Sequence, residues 1–361
     1  MNLPSSFPDC NYAALSQTQS PFRKTPISEN KAFRKMEKTA EKAIDQHARL
    51  IPMYCPNPYA TKEDLSFDFG VKHKKPLQLS ISSYEDQGPK PYMEDVSFHK
   101  PLSNGMFITG ILDGHGGSGV PQFASSLFQR HFEPILKESK GHVHLALEVT
   151  IGKIQRLILL NKDLDHEGSP AVFCVFDPKQ HRVTTATIGD CEANCYREKA
   201  GKMISIPMSY IKDWTDPHEK DRMLRVYGSN KYCYTRLSNG RALGWDGSAP
   251  SDHHYLAVKK NNLATPTALF IQGGCNVSCA FGDANHEGCI LPIPSISIHG
   301  MKDKDCFTLS SDGVKNVSEQ ELVQRIQAVG SKKIKPKQLV DYARQKGVQD
   351  NMSVIIVRAE K

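Results

Sequence analysis

Four short acidic blocks constrain the fold of this chain more than any other feature, because they adjoin strand-like apolar runs. The blocks are Met93-Glu94-Asp95, Asp113-Gly114-His115-Gly116-Gly117, Ser311-Asp312-Gly313 and Asp350-Asn351-Met352. Apolar runs at 106–112 and 306–309 precede the second and third blocks, and another at 353–357 follows the fourth. Rigid strand ends can aim several carboxylates at one point, and converging hard oxygen ligands suit Mg²⁺ or Mn²⁺. The pattern therefore predicts a hydrolytic metal centre.

In order and content, these blocks resemble the metal-dependent protein phosphatases of type 2C, the PPM family. Residues 90–95 are similar to the family's basic-x-x-Met-Glu-Asp opening, and residues 112–117 contain its Asp-Gly-His-Gly-Gly element intact. Further similar segments are 168–171, 186–193, 241–244, 309–313 and 350–354. The resemblance covers roughly residues 79–359, and the ordered set of motifs is far more specific than any one of them.

The resemblance implies an α+β fold, an antiparallel β-sandwich flanked by α-helices on both faces. The hydrophobic patterning of the chain agrees with that fold. Apolar spacing predicts helices over 120–137, 142–163, 318–329 and 336–346, and strands over 77–82, 171–176, 183–188, 193–197, 306–309 and 353–358. Ser318 with Glu321 three residues later predicts a capping box at the start of the third helix.

The sequence divides into an N-terminal extension, 1–75, and a catalytic domain, 76–361. The extension begins with a polar stretch that predicts disorder, followed by an amphipathic helix over 29–51 and a proline-containing linker. Residues 246–299 match the family least well and correspond to its variable flap beside the active site. Substrate specificity is expected to reside in that flap.

Composition limits the possible partners and compartments. The formal charge of +7 is dispersed and lacks a nucleic-acid-binding signature, so we expect no nucleic-acid partner. No apolar run reaches the roughly 18 residues of a membrane span, and no signal peptide is recognisable. Ten scattered cysteines are typical of reduced thiols. We expect a cytoplasmic monomer that acts on a phosphoprotein, although the sequence does not distinguish a resident enzyme from one delivered into a host cell.

The resemblance also implies a ligand set for two or three Mg²⁺ or Mn²⁺ ions. Asp113 would bridge two ions that share an attacking water. Asp312 and Asp350 would complete the shell of one ion, and the carbonyl of Gly114 would bind the other. The remaining implied ligands are Glu94 and Asp95, with Asp190 for a possible third ion.

Two implied roles concern the substrate directly. His115 would donate a proton to the leaving oxygen, a task that suits an imidazole. Lys90 stands where the family usually has the arginine that grips the phosphate, so binding should be looser without the planar fork. Asn351 would support the site. Two further departures are Cys191 in place of a serine and Trp245 in place of the aspartate that usually follows Arg-Ala-Leu-Gly.

Cys275, Cys279, His286 and Cys289 form a C-x3-C-x6-H-x2-C pattern within the flap. These are the ligand types that Zn²⁺ accepts, but the spacing is not one of the usual ones. Buried or unpaired thiols explain the pattern more simply.

Three functions remain open from the sequence. The first is a Mg²⁺- or Mn²⁺-dependent serine/threonine protein phosphatase that uses a two-metal-activated water, because every carboxylate matched to a ligand is present. The second is a weak or inactive phosphatase-fold scaffold that binds a partner protein, suggested by Lys90 and the altered surroundings. The third is a metal-dependent hydrolase of small phosphate esters, which no nucleotide-binding glycine loop supports.

Overall fold

A computed structural model provides the structure of the protein. It describes residues 75–212, 216, 219, 277–284, 290–314, 317–331 and 333–361, and the backbone alone of 232–238, 241–243, 254–259 and 269–275. The predicted disordered start, helix and linker of the extension therefore lie outside the described residues, as does much of the predicted flap.

Two five-stranded antiparallel sheets form the framework. In chain order the strands are β1 Gln78–Asp86, β2 Val96–Pro101, β3 Phe107–Leu112, β4 Gly168–Ser169, β5 Ala171–Asp177, β6 Arg182–Ile188, β7 Glu192–Lys199, β8 Lys202–Pro207, β9 Tyr232–Ser238, β10 Arg241–Leu243, β11 His254–Lys259, β12 Leu269–Cys275, β13 Phe281–Gly282, β14 Ser295–Gly300, β15 Cys306–Ser310 and β16 Met352–Glu360. The first sheet has the order β1-β16-β15-β7-β8 and the second β14-β6-β5-β3-β2. Strands β10-β9-β11-β12 form a third sheet, and β13 pairs with β4.

The two large sheets pack face to face around a shared apolar core. Phe176 of β5 meets Phe307 of β15 edge-on, with ring centroids 5.3 Å apart. Val172 from the second sheet and Ile355 from the first are buried in the same cluster. Every residue of β5 is buried, because one of its faces contacts the opposite sheet and the other contacts helices.

Two pairs of helices cover the outer faces of this sandwich, as predicted. Helices α1 (Gly119–Glu138) and α2 (Val143–Leu159) lie on the second sheet, where the Phe128 ring stacks on Phe173 at a centroid distance of 4.1 Å. Helices α3 (Glu319–Val329) and α4 (Pro336–Gln345) pack on the first sheet. The predicted α+β sandwich with helices on both faces is therefore confirmed.

Two helix boundaries show how local chemistry sets the elements. The capping box of Ser318 and Glu321 begins α3, as predicted. The second predicted helix is shorter than expected, because Asn161 adopts an extended conformation and its side chain accepts a hydrogen bond from the backbone of Asp163. A separate 3₁₀ turn, Lys162–Leu164, follows. In the described part of the chain, no helix has both the length and the hydrophobicity needed to cross a bilayer.

Candidate active site

The strand ends of each large sheet bring acidic blocks side by side. In the second sheet, Asp95 immediately precedes β2 and Asp113 immediately follows β3, and these two strands are paired. In the first sheet, Asp312 follows β15 and Asp350 precedes β16, which are also paired. Antiparallel pairing places the end of one strand beside the start of its partner, so each sheet presents two aspartates at one edge.

Hydrogen bonds between the sheets join these two edges into one site. The backbone N–H of Asp312 donates to Oδ2 of Asp113 at 3.2 Å. The backbone N–H of Glu94 donates to Oδ1 of Asn351 at 2.9 Å, and the Asn351 amide donates to the carbonyl of Gln87 at 2.7 Å. Asn351 thus ties the loop that carries Glu94 to the first sheet.

Two glycines permit this close approach of backbone segments. A Cβ atom on Gly114 would overlap the carbonyl oxygen of Glu94, and one on Gly313 would overlap the carbonyl oxygen of Asn351. The glycines of the Asp-Gly steps therefore let the loops that carry the carboxylates pack directly against each other.

The clustered carboxylates concentrate negative charge at this edge of the sandwich. Burial raises the pKa of Asp113 well above its usual value, and the charges of Asp95, Asp312 and Asp190 raise it further. Burial also raises the pKa of Asp95 to about 6. Nearby serine hydroxyls oppose that rise, yet neither carboxylate oxygen of Asp95 has a hydrogen-bond partner of normal geometry among the described residues. Such a group is poised to accept a cation.

Lys90 places a positive charge inside this cluster. Its Nζ forms an ion pair with Asp350 and lies 3.9 Å from Oε2 of Glu94. Although burial opposes the change, the hydrogen bond and charge of Asp350 raise the pKa of Lys90, and the charges of Glu94 and Asp113 add to the rise. The amine is therefore protonated at neutral pH and held against two carboxylates.

His115 pairs with an aspartate that was not predicted from the sequence. Its Nε2 lies 3.0 and 3.1 Å from the two carboxylate oxygens of Asp283. The His115 side chain is 36% exposed, whereas Asp283 is 3% exposed. A signal was available, because residues 280–283 read Ala-Phe-Gly-Asp and so supply the Ala-x-Gly-Asp order that the sequence at 241–245 lacks.

Asp190 lies beside the cluster, at the turn between β6 and β7. Its charge contributes to the raised pKa of Asp113. Burial, followed by the charges of Asp113 and Asp190, raises the pKa of the neighbouring Cys191 thiol well above its usual value. The cysteine that replaces the expected serine is therefore a buried, protonated thiol rather than a nucleophile.

The donor chemistry of the site fits Mg²⁺ or Mn²⁺. The charge of Asp95 raises the pKa of Asp113, and the Asp95 oxygens have no hydrogen-bond partner of normal geometry among the described residues. Both carboxylates are hard ligands suited to a divalent cation. Among the described residues, however, no three acidic, imidazole or thiol side chains already converge as a preformed metal site. The carboxylates are neighbours, and their side chains would have to turn toward a shared ion.

The predicted zinc pattern is only partly visible. Cys279 is buried, and its Sγ lies 3.6 Å from Oε2 of Glu219. The side chains of Cys275, His286 and Cys289 lie outside the described residues, so the pattern stays a prediction.

Sequence comparisons identify relatives across most of the chain. The model of the protein phosphatase 2C family matches residues 93–352. Protein phosphatase 2C 1 of Paramecium tetraurelia is 27% identical over 242 residues, which span 60% of this chain and 77% of that protein. The probable protein phosphatase 2C 28 of Arabidopsis thaliana is 26% identical over 256 residues, 69% of this chain and 63% of the relative.

Solved structures share the fold. The serine-threonine phosphatase 2C of Toxoplasma gondii superposes with a TM-score of 0.62 at 16% identity, covering 80% of this chain and 97% of that one. A sex determining protein of C. elegans superposes with a TM-score of 0.59 at 18% identity, covering 91% of this chain and 72% of the other. At these identities the likeness concerns the fold alone.

Proposed function

Because the chain belongs to the protein phosphatase 2C family, we propose that it is an active Mg²⁺- or Mn²⁺-dependent serine/threonine protein phosphatase that hydrolyses phosphoserine and phosphothreonine with water. The observation that carries this proposal is the approach of carboxylates from both sheets to one edge, where the charges of Asp95, Asp312 and Asp190 all act on Asp113. When bound, two divalent ions supply a water of lowered pKa and neutralise phosphoryl oxygens.

Residues of all four blocks would hold the ions. Asp113 would take the central place in this set, since its carboxylate responds to the charges of its aspartate neighbours on both sheets. Asp312 and Asp350 would bind one ion from the first sheet, and the carbonyl of Gly114 would bind the other. Glu94 and Asp95 complete this proposed set, and Asp190 would serve a third ion.

The substrate would meet two further groups. The protonated Nζ of Lys90, which contacts Asp350 and Glu94, would bind a phosphoryl oxygen as a point charge. The half-exposed imidazole of His115 would hand a proton to the leaving serine or threonine oxygen, which departs poorly as an alkoxide.

The expected setting is a reducing compartment such as the cytoplasm, with a phosphoprotein as the partner and the chain as a monomer. Five cysteines of the described residues are buried thiols that take part in no disulfide there: Cys174, Cys191, Cys195, Cys279 and Cys306. Rapid alkylation of cell extracts followed by mass spectrometry would detect these thiols as unoxidised. Disulfide-linked forms among them would count against the proposed compartment.

One observation favours the non-catalytic scaffold as a second candidate. The Lys90 ammonium is paired with Asp350, a carboxylate that the first candidate assigns to a metal ion. A scaffold would keep this internal ion pair permanently and bind no divalent ion at the edge of the sandwich.

Phosphate release from a phosphothreonine peptide in Mn²⁺ separates the two candidates. We expect metal-dependent turnover by the wild type and loss to background in Asp113→Ala and Asp312→Ala. Asp341→Ala is the matched control, since Asp341 lies on the exposed surface of α4 and forms an ion pair with Lys337 of the same helix. Absence of turnover in the wild type with ample Mn²⁺ or Mg²⁺ would favour the scaffold.

A further inference from the structure

Asp283 holds the imidazole of His115 from a segment far away in the sequence. We propose that Asp283 is a positioning residue, which fixes the ring of His115 and selects the nitrogen that faces the leaving group. This inference rests on the proposed phosphatase function. It concerns a residue that neither the ligand set nor the proton donor described above includes.

A small patch of β-structure brings the two residues together. The backbone N–H of His115 donates to the carbonyl of Gly168 at 3.0 Å, and the Gly168 N–H donates back to the His115 carbonyl at 3.0 Å. On its other side Gly168 pairs with Gly282 in the two-stranded sheet of β4 and β13. The N–H of Asp283 donates to the carbonyl of Glu167 at 2.9 Å. Both partners are therefore fixed through their backbones.

Gly168 leaves the space in which the pair forms. A Cβ atom at this position would overlap both Oδ2 of Asp283 and Nε2 of His115. Alanine at residue 168 would force the imidazole and the carboxylate apart. The absence of a side chain here is thus a requirement of the His115–Asp283 contact.

The burial of the two side chains assigns them different roles. Asp283 is 3% exposed, so its carboxylate cannot reach a bound phosphoprotein, whereas His115 is 36% exposed and can. Nε2 of His115 lies within 3.0–3.1 Å of both carboxylate oxygens, which restrains the ring from turning about its bonds. The geometry points to a residue that acts through the imidazole.

The contact also selects the reacting nitrogen. A carboxylate only accepts hydrogen bonds when ionised, so Nε2 must carry a hydrogen directed at Asp283. Nδ1 is then the nitrogen that carries the proton for the leaving oxygen. As the phosphorus–oxygen bond breaks, that proton moves from Nδ1 to the oxygen and leaves a neutral ring that keeps its Nε2–H. Asp283 accepts the hydrogen bond from Nε2 both before and after the transfer.

The backbone of Asp283 allows a conservative test. Its φ of +52° lies in the left-handed region, where asparagine is tolerated better than most residues. Asp283→Asn keeps the shape of the side chain and removes its charge, so it is suited to separate positioning from folding. Thermal denaturation of each variant checks that the fold is intact.

Two substrates with different leaving groups provide the readout. A phosphothreonine peptide releases an alkoxide that needs a proton, whereas p-nitrophenyl phosphate releases a stable phenolate that does not. We expect Asp283→Asn to lower kcat on the peptide by about 10- to 100-fold, part of the roughly 10²- to 10⁴-fold that general-acid catalysis contributes, and to change kcat on the aryl phosphate by less than about threefold. His115→Gln should show the same selectivity, and the double variant should be no worse than His115→Gln alone.

Equal losses on both substrates, unchanged peptide turnover, or additive losses in the double variant would overturn the proposal. Failure of the proposed function looks different, because the wild type would then hydrolyse neither substrate. In that case ¹⁵N spectra of the neutral His115 ring decide whether Asp283 orients it. A proton fixed on Nε2 in the wild type and distributed over both nitrogens in Asp283→Ala supports orientation. A wild-type ring with its proton on Nδ1, or on both nitrogens, refutes it.

Discussion

Lys90 shows how a single side chain adapts the charge balance of the site. Its ammonium group touches Asp350 and lies near Glu94, so it neutralises part of the acidic cluster from within. A lysine offers one point charge and no planar fork, so it can serve the carboxylates or a phosphate but grips the phosphate less specifically than arginine does. Substrate affinity is the property that this residue should limit.

Lys90→Arg should therefore strengthen phosphopeptide binding. We expect KM to fall by roughly 3- to 10-fold, because a guanidinium can bind a phosphate through two parallel hydrogen bonds. Lys90→Ala should raise KM by a similar factor. Steady-state kinetics on a phosphothreonine peptide measures both changes, with Lys337→Arg on the exposed face of α4 as the control. An unchanged KM in Lys90→Arg would mean that residue 90 does not contact the phosphate.

At the scale of elements, the contact between α1 and α2 contains a titratable group. Nζ of Lys153 on α2 lies 3.3 Å from Nδ1 of His131 on α1. Burial, followed by the charges of Lys153 and Arg130, lowers the pKa of His131 from 6.5 to about 4. The contact between α1 and α2 therefore favours the neutral form of the imidazole over the protonated form.

This contact makes the helix pair sensitive to acid. Because the pKa is lower in the folded state, the unfolded chain binds the proton more tightly, and stability is lost as the pH falls from about 6.5 toward 4. We expect a loss of roughly 1–2 kcal/mol from this group, reduced because the ring is only half-buried.

The measurement is chemical denaturation at pH 7 and pH 4.5. His131→Gln should lose less stability over this interval than the wild type, and His99→Gln on the exposed side of β2 is the matched control. Equal acid sensitivity of His131→Gln and the wild type would exclude His131 as the cause.

At the scale of the whole molecule, carboxylates of both sheets lie close together where the sheets meet, and their negative charges repel each other. Asp113 follows a strand of one sheet and Asp312 follows a strand of the other. The charge of Asp312 raises the pKa of Asp113, so packing the two sheets together has an electrostatic cost. A carboxyl whose pKa is raised on folding destabilises the folded state above its ordinary pKa, because its charged form is disfavoured there. Cations that bind this edge would offset that cost and add binding energy of their own.

Asp113→Asn should consequently be more stable than the wild type in chelator at pH 7.5. We expect a gain of about 1–3 kcal/mol, since the change removes a buried charge while preserving shape. The same variant should lose most of the rise in Tm that Mn²⁺ gives the wild type.

Thermal melts with chelator and with Mn²⁺ measure both effects, and Asp341→Asn on α4 serves as the control. A Tm for Asp113→Asn below that of the wild type in chelator would show that the charge of Asp113 does not destabilise the folded protein. An undiminished Mn²⁺ shift would place the cation elsewhere.

Much of this architecture could be predicted from the sequence because its signals are local. Apolar runs and their spacing predict the core strands, and the Ser318–Glu321 capping box predicts the start of α3. The Asp-Gly and Asp-Asn steps at strand ends marked carboxylates that the structure brings to one edge. The early end of α2 was not predicted, because apolar spacing continues past the hydrogen bond that Asn161 makes with its own backbone.

The sequence by itself determined which chemical groups the site contains and which strand ends carry them, since both depend on residues close together in the chain. Only the tertiary structure decided which groups touch. Lys90, in the loop after β1, meets Asp350 at the start of the paired strand β16, and His115 meets Asp283 across 168 residues through the pairing of β4 with β13. Such contacts depend on strand register and on the space left by Gly168; a short motif can mark one of the residues but does not identify its distant partner.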